Sequence, residues 1–409
     1  MKRMIGLALI ICLAYGLAAC GGIRGSSSAS ERAEEASEKA SVHKIGVLVY
    51  SRTDNEVIDF KDYLENYIES CFEDVDFLYS DTVASPEEAM QFIRSAAENG
   101  VEGIMSFNSY DLEAEVNLCA ELHIYYMMAS GSVSDEAFAK AADNEYFLGV
   151  VGPGSEIEYQ AGAKMGAYFA ENAENDEYFI LSGGASIGNE MHRLRTVGIL
   201  DALQEAYGVT FDKDTRELAA SENIEHVQAG ALTVCICPGY LSRDAFRERA
   251  KAEYETDQYG VVLAVLPVFD MESDIVKAGA RFGLVDCYSD ANWKLFINGN
   301  LDYVTGKYRS IIGPSFAAMY NALNGYASEF READGKAFRI IQGFWTSENA
   351  EDYEKKYEMS SSIEINAYNY EDLYGVCKNY NPDATLEDLE ALAGAYTFEE
   401  AKARRAKQP

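Results

Sequence analysis

Strand-like and helix-like blocks alternate along this chain from residue 44, and the alternation starts again midway. The first series includes KIGVLVY (44–50) and VEGIMSFN (101–108), and the second includes EYFILSG (177–183) and YGVVLAVL (259–266). Short apolar strands separated by amphipathic helices are typical of parallel sheets that helices cover on both faces. We therefore predict an α/β fold with two doubly wound, Rossmann-like lobes, each built on a parallel sheet.

The predicted topology also locates the functional loops. Ligands of open parallel sheets bind beyond the carboxyl ends of the strands, and two facing lobes bring those ends together in one cleft. The loops that follow the predicted strands are Ser51–Glu56, Asn108–Tyr110, Ser130–Ser132, Gly184–Arg195, Pro238–Leu241, Pro267–Asp270 and Asp286–Asp290.

The N-terminal segment has the pattern of a secretion signal. Lys2 and Arg3 precede an apolar stretch at 4–19, which is shorter than the roughly 20 residues that a bilayer span requires. The sequence LAAC that ends at Cys20 resembles the bacterial lipobox. That resemblance implies cleavage before Cys20 and attachment of lipid to it; an ordinary signal peptide, cut near Ala19, is the alternative.

Composition excludes several classes of function. The formal net charge of −34 argues against a nucleic-acid partner, because phosphates would be repelled. The chain has only four histidines, none at ligand spacing from another, so we expect no metal site. It shows no Gly-x-Ser-x-Gly elbow, P-loop or supported Cys-His pair, so we expect neither an enzyme nor a cofactor.

The cysteines leave two possibilities open. An even set in an extracytoplasmic protein permits disulfides, but most of these residues lie in apolar runs, where buried thiols are equally consistent. Both cysteines of the Cys-x-Cys pair in LTVCICPGY would face the same side of a strand. The residues concerned are Cys71, Cys119, Cys235, Cys237, Cys287 and Cys377.

From Lys44 to Gly343 the chain resembles the type I solute-binding proteins, the superfamily of ribose- and galactose-binding proteins and of the lactose-repressor sensor domain. Three stretches carry the resemblance: VEGIMSFNS, GNEMHRLRTVGILDALQEAYGV and GLVDCYSDANWKLFINGNLDYVTGKY. It implies lobes joined by a multi-strand hinge, with the ligand cleft between them. A DNA-binding repressor is excluded, because no helix-turn-helix precedes the first lobe.

The resemblance also implies the principal ligand contacts. The first arginine of the Arg-x-Arg helix start is Arg193, and the aspartate that ends a later strand is Asp286. A guanidinium and a carboxylate suit the vicinal hydroxyls of a sugar. A surface ion pair for Arg193 and a loop cap for Asp286 are the alternatives. Arg195 is expected to brace the helix or a contact between lobes.

The first lobe departs from the family pattern. SRTDNEV, with Arg52, Asp54 and Glu56, stands where sugar binders carry asparagine and two aromatics, and Ser130-Gly131 replaces Asp-Arg. The cleft-facing loops complete the candidate ligand contacts: Asn108, Arg52, Asp54, Ser130, Phe269 and Asp270. Four aromatic residues are expected either to stack on a sugar or to belong to the core: Phe107, Tyr110, Tyr240 and Phe269.

The predicted organisation is therefore a signal peptide at 1–19, a lipid anchor and flexible linker at 20–43, two lobes and a helical C-terminal extension at 351–409. The first lobe comprises 44–152 and about 308–335, and the second comprises 153–307 and about 336–350.

We expect a monomeric, lipid-anchored protein on the extracytoplasmic face of a bacterial membrane. It would capture a small polar solute, foremost a sugar, and dock on ABC permease subunits. A lipoprotein that signals ligand binding to a membrane receptor or kinase is the alternative.

Overall fold

The computed structural model describes most of the chain that follows the predicted linker. Its described residues are 42–172, 174–183, 190–239, 244–256, 259–268, 271, 279–362 and 366–407. They belong to one compact unit, Ser41–Pro409. The predicted signal peptide, Cys20 and nearly all of the linker lie outside the described residues.

The first sheet is entirely parallel among the described strands, in the order β12-β5-β4-β3-β1-β2. Its central strands read as continuous apolar runs because helices bury both faces. The strands are β1 (His43–Leu48), β2 (Val75–Tyr79), β3 (Gly103–Ser106), β4 (Tyr125–Ala129), β5 (Phe147–Gly152) and β12 (Phe338–Ile341).

The second sheet has the order β13-β11-β10-β9-β6-β8-β7, with parallel central strands and an antiparallel strand at each edge. Two parallel-dominated sheets confirm the predicted fold class. The strands are β6 (Glu177–Ser182), β7 (Glu225–Ala229), β8 (Leu232–Pro238), β9 (Val261–Ala264), β10 (Arg281–Cys287), β11 (Tyr303–Lys307) and β13 (Trp345–Ser347).

Helices cover both sheets, and several begin at a side-chain cap, as at Asp54 and Ser85. No helix within the described ranges has the length and apolar character that a bilayer crossing needs. The described helices are α1 (Asn55–Asp62, continued through Tyr63–Ile68 and Glu69–Cys71), α2 (Pro86–Glu98), α3 (Leu112–Glu121), α4 (Asp135–Ala141), α5 (Ser155–Asn172), α6 (Glu190–Tyr207), α7 (Thr215–Ala219), α8 (Asp244–Thr256), α9 (Asp290–Ile297), α10 (Gly313–Asn321), α11 (Ala350–Ser361), α12 (Tyr370–Val376), α13 (Leu386–Gly394) and α14 (Phe398–Arg405).

The chain passes between the lobes three times. It leaves the first lobe after β5, returns after β11 through the 3₁₀ turn Arg309–Ile312, and crosses again between β12 and β13. The sequence-based boundary placed all of 336–350 in the second lobe. The structure differs, because β12 pairs with β5 in the first sheet and only β13 joins the second.

Close packing of α5 against α6 fixes where α6 begins. A Cβ added at Gly162 on α5 would lie 1.8 Å from the carbonyl oxygen of Arg195, and one at Gly198 would lie 2.1 Å from that of Tyr159. Only glycine permits so close an approach of two backbones. This packing holds the first turns of α6, with its two arginines, at the carboxyl end of the second sheet.

The C-terminal extension contacts both lobes. Tyr353 of α11 stacks on Tyr288 of the second lobe at 4.9 Å between ring centroids. The Tyr63 hydroxyl of the first lobe donates to the Tyr368 carbonyl at 2.8 Å, and the Trp345 indole in β13 donates to the Tyr396 carbonyl at 2.8 Å. The extension is therefore a helical layer over the lobes and the crossing segments, as predicted.

Candidate functional site

A buried ion pair joins the two lobes at the ends of their strands. Lys307 is the last residue of β11 in the second sheet, and its Nζ lies 3.0 Å from Oε1 of Glu56 in the first turn of α1. Both residues are buried. Breaking such a pair by removing one partner is costly, because the other charge stays buried without compensation.

Asp54 and Tyr50 extend this contact within the first lobe. The Tyr50 hydroxyl donates to Glu56 Oε1 at 3.2 Å and to Asp54 Oδ1 at 3.3 Å. Asp54 also caps α1 by accepting from the Glu56 amide at 2.9 Å. Burial, and then the neighbouring carboxylate of Glu56, raise the pKa of Asp54 to about 6.

Asp286 lies at the end of β10, in the second lobe, and completes an acidic group. Its Oδ2 accepts from Nδ2 of Asn292 at 2.8 Å. Burial is the main cause that raises the pKa of Asp286 to about 8, and the negative charge of Asp54 adds to it. Asp54 and Asp286 therefore interact across the two lobes.

A carboxyl with so high a pKa carries a proton for much of the time near neutral pH. A protonated carboxyl both donates and accepts hydrogen bonds, whereas a carboxylate only accepts. Together with the Lys307 ammonium, which only donates, the group presents both kinds of partner. Such a mixture suits a solute whose hydroxyl groups also donate and accept.

A second buried ion pair joins α5, α6 and the first lobe. Arg195 Nε donates to Glu158 Oε2 at 2.6 Å, and its Nη1 donates to the Val265 carbonyl at 3.0 Å. Ser132, which follows β4 of the first lobe, donates to Glu158 Oε1 at 2.6 Å. The Arg195 guanidinium also lies 5.5 Å from the ring centroid of Phe344, in the third crossing segment. Arg195 thus braces a contact between lobes, as the sequence predicted.

Within the part of the chain that the structure describes, the buried polar atoms without a hydrogen-bond partner include three near strand ends of the two lobes. They are Oγ of Ser130 after β4, Oγ of Ser182 at the end of β6, and Nδ1 of His192 in the first turn of α6. Ser130 has a left-handed backbone, with φ of 66°. Burial, and then Arg195 and Lys307, hold the pKa of His192 well below its usual range, so its ring is neutral. Buried polar atoms are normally paired, so these three have hydrogen-bonding capacity that a bound polar molecule could use.

A groove of about 420 Å³ opens between the lobes at the start of α1, the helix that Asp54 caps. The first lobe contributes Asn55, Ile58 and Asp59 of α1, and the second lobe contributes α9 and the residue before it, Ser289. The groove is therefore an opening that both lobes line.

The structure places Asp286 and Asp54 together, as just described, but it leaves the other predicted contacts untested. Arg193 lies half-buried in the first turn of α6, and among the described residues none pairs with it by a hydrogen bond or ion pair. Asn108 follows β3 half-buried, and its carbonyl accepts from Ser106 Oγ at 2.6 Å. Both stay predictions as ligand contacts.

Arg52 is engaged elsewhere on the first lobe. Its Nη1 lies 2.8 Å from Oδ1 of Asp81 in an exposed ion pair, and it does not contact the buried acidic group. Phe269 and Asp270 lie outside the described residues, as does Cys20.

Sequence reasoning missed Lys307, His192, Ser182, Asn292 and Tyr50. Lys307 is the second-last residue of the stretch GLVDCYSDANWKLFINGNLDYVTGKY, but the segment YVTGK has too little apolar character to predict a strand. The sequence marks Glu56 as a departure from the family pattern, but it does not predict that Glu56 pairs with a residue of the other lobe.

Comparison with known proteins supports the fold. No protein-family model matches the chain, and no curated protein matches it either. Among solved structures, a galactofuranose-binding protein is 12% identical with a TM-score of 0.56, covering 78% of this chain and 99% of that chain. An ABC transporter solute-binding protein from Bacillus halodurans C-125, with bound myo-inositol, is 16% identical with a TM-score of 0.54, covering 78% and 98%.

The periplasmic binding protein of the arabinose ABC transporter from Shewanella sp. ANA-3, bound to L-arabinofuranose, is 13% identical with a TM-score of 0.54, covering 78% and 98%. This chain therefore has the two-lobe fold of the type I periplasmic binding proteins, as the sequence predicted.

Proposed function

We propose that this chain is a lipid-anchored, extracytoplasmic protein that captures a small polyhydroxylated solute, foremost a sugar or cyclic polyol, between its lobes for an ABC-type importer. The observation that carries the proposal is the set of buried, unpaired polar atoms of Ser130, Ser182 and His192. Ser130 follows β4 of the first lobe, whereas Ser182 ends β6 and His192 lies in the first turn of α6, both in the second lobe.

The chemistry of this group favours a neutral, hydroxyl-rich ligand. Each unpaired atom disfavours the empty site, because an unmade buried hydrogen bond costs about 1–3 kcal/mol. A sugar hydroxyl donates and accepts, and thus pairs with a serine Oγ, a neutral histidine nitrogen or a carboxyl of raised pKa. The proteins of similar fold are named as binders of galactofuranose, myo-inositol and arabinofuranose, which share this chemistry.

Transport rather than sensing is proposed because those similar structures include components of ABC transporters. Hinged closure of two lobes around a solute would give the permease a closed form to recognise. If the gene is deleted, uptake of the captured solute should fall. A loss of the cellular response with unchanged uptake would favour the sensing alternative.

Ligand screening tests the proposal. The chain from Ser41 onward should show a raised melting temperature with at least one member of a panel of furanose and pyranose sugars, cyclic polyols, nucleosides and amino acids, since a ligand that binds the native state stabilises it. No shift with any member would contradict the proposal.

The Arg193→Ala variant tests the predicted contact on the second lobe. It should lose the shift while unfolding at the same temperature as the parent chain without ligand. Arg216→Ala, at an exposed position of the same lobe, is the matched control and should keep the shift. An unchanged affinity in Arg193→Ala would overturn the assignment of Arg193 as a ligand contact. The proposed function would still be tested by the ligand screen.

A further inference from the structure

The Cys-x-Cys pair of β8 has no part in the solute site. Cys235 and Cys237 are both buried, and no disulfide joins the cysteines that the structure describes. Cys235 lies beside two further side chains that bind metals well, His226 of β7 and Glu253 of α8. These residues are far from the interlobe group in the fold, since β7 is the edge strand opposite β13.

The strand register brings the histidine and the thiol together. β7 and β8 are antiparallel, and His226 is directly opposite Cys235. Directly opposed residues of an antiparallel pair project from the same face of the sheet, with Cβ atoms roughly 4.5–5.5 Å apart. The carboxylate of Glu253 reaches this face from α8.

The three potential ligand atoms are close together. His226 Nε2 lies 3.2 Å from Glu253 Oε1, and Cys235 Sγ lies 4.0 Å from the same oxygen. All three atoms lie within 4.8 Å of one another. Bonds of about 2.0–2.3 Å at tetrahedral angles place pairs of zinc ligands roughly 3.3–3.6 Å apart. Small side-chain movements would therefore bring all three atoms to zinc.

We propose that His226, Cys235 and Glu253 form a site for one Zn²⁺ ion. A thiolate, an imidazole and a carboxylate are the ligand types that zinc takes in proteins. A water molecule would complete the tetrahedron from the solvent side, where the His226 side chain is 54% exposed. The buried thiol closes the opposite side.

Charge and protons balance on binding. The Cys235 thiol loses one proton to buffer and binds as thiolate, while Glu253 binds as carboxylate and His226 as neutral imidazole. One thiolate and one carboxylate compensate the two positive charges of the ion. The metal would then tie the β7–β8 hairpin, at the edge of the second sheet, to α8.

Calorimetry on the metal-stripped chain from Ser41 onward tests the site. We expect one Zn²⁺ per chain, release of about one proton as measured across buffers of different ionisation enthalpy, and a raised melting temperature. Co²⁺ in place of Zn²⁺ should give a thiolate-to-cobalt charge-transfer band and tetrahedral visible bands. Absence of both stoichiometric binding and the cobalt–thiolate band would overturn the proposal.

Two variants and one control assign the ligands. His226→Gln should weaken zinc binding at least about tenfold, because even an outer-shell partner is worth 10–100-fold, and Cys235→Ser should abolish the cobalt–thiolate band. His43→Gln is the matched control, because His43 also lies 3.2 Å from a glutamate, Glu102, in the first lobe. Equal affinities in His226→Gln and His43→Gln would refute the site even if Cys235→Ser fails to fold.

Discussion

Replacing Asp286 by asparagine should remove a pH dependence of stability that the interlobe site creates. In the folded chain its pKa is raised to about 8 from an ordinary 3.8. Between those values the folded chain holds a proton that the unfolded chain has released. The contribution of Asp286 to the free energy of unfolding is therefore complete below the unfolded pKa and is lost as the pH rises through the folded pKa.

The size of the effect follows from the same two pKa values. A one-unit shift corresponds to about 1.4 kcal/mol, so between pH 6 and pH 8 this carboxyl alone lowers the free energy of unfolding by about 2 kcal/mol at most. Partial exposure of Asp286 reduces that figure. His192 acts in the opposite direction near pH 6, because its folded pKa is lowered. The difference between variant and parent is therefore the quantity to measure.

Urea unfolding at pH 6 and pH 8 measures this difference. Between pH 6 and pH 8, the free energy of unfolding of Asp286→Asn should fall by about 1–2 kcal/mol less than that of the parent. The reason is that the amide does not ionise, while its oxygen still accepts from Asn292. Asp290→Asn is the control: its exposed carboxylate pairs with Lys294, and that variant should keep the parent's slope. If Asp286→Asn and the parent have the same pH dependence, the account of a raised pKa is refuted.

Two further predictions concern the interlobe ion pair and the membrane anchor. Lys307→Met should lower the free energy of unfolding by about 3–5 kcal/mol in urea titrations at neutral pH, because the Glu56 carboxylate stays buried without a compensating cation. Lys294→Met removes one partner of an exposed pair and should cost about 1 kcal/mol or less; equal costs would contradict the assignment. Cys20→Ser should abolish incorporation of a labelled fatty acid and release the protein from membranes, whereas Cys12→Ser should do neither; retained labelling in Cys20→Ser would favour the ordinary signal peptide.

The sequence was sufficient for the general architecture because apolar strands of central parallel sheets are easily recognised. β3 and β9 lie at the centre of their sheets, and the sequence predicts both. β7 and β13 are edge strands, and β13 has only three residues, so neither carries a long apolar run. β11 is buried throughout, but its sequence YVTGK has too little apolar character to predict a strand.

The sequence predicts a residue of the candidate site only where that residue lies at the end of a strand that is itself predicted. Asp286 is at the end of a predicted strand and Asp54 follows one, and both belong to the acidic group. The pair of Lys307 with Glu56 joins residues 251 positions apart, so it depends on how the lobes meet, which no local pattern records. Arg52 also follows β1 and pairs with Asp81 on the surface, so its role as a ligand contact stays a prediction.

The central claim is that one solute is held by both lobes, and its most direct test is calorimetric affinity in one variant from each. For a solute identified in the screen, Ser130→Ala in the first lobe should weaken binding by about threefold to tenfold, as for a neutral hydrogen bond. Asp286→Ala in the second lobe should weaken it by at least as much, because it removes a carboxyl that both donates and accepts. Loss of affinity in both variants is the result that the account predicts. Unchanged affinity in either one would contradict a site formed between the lobes.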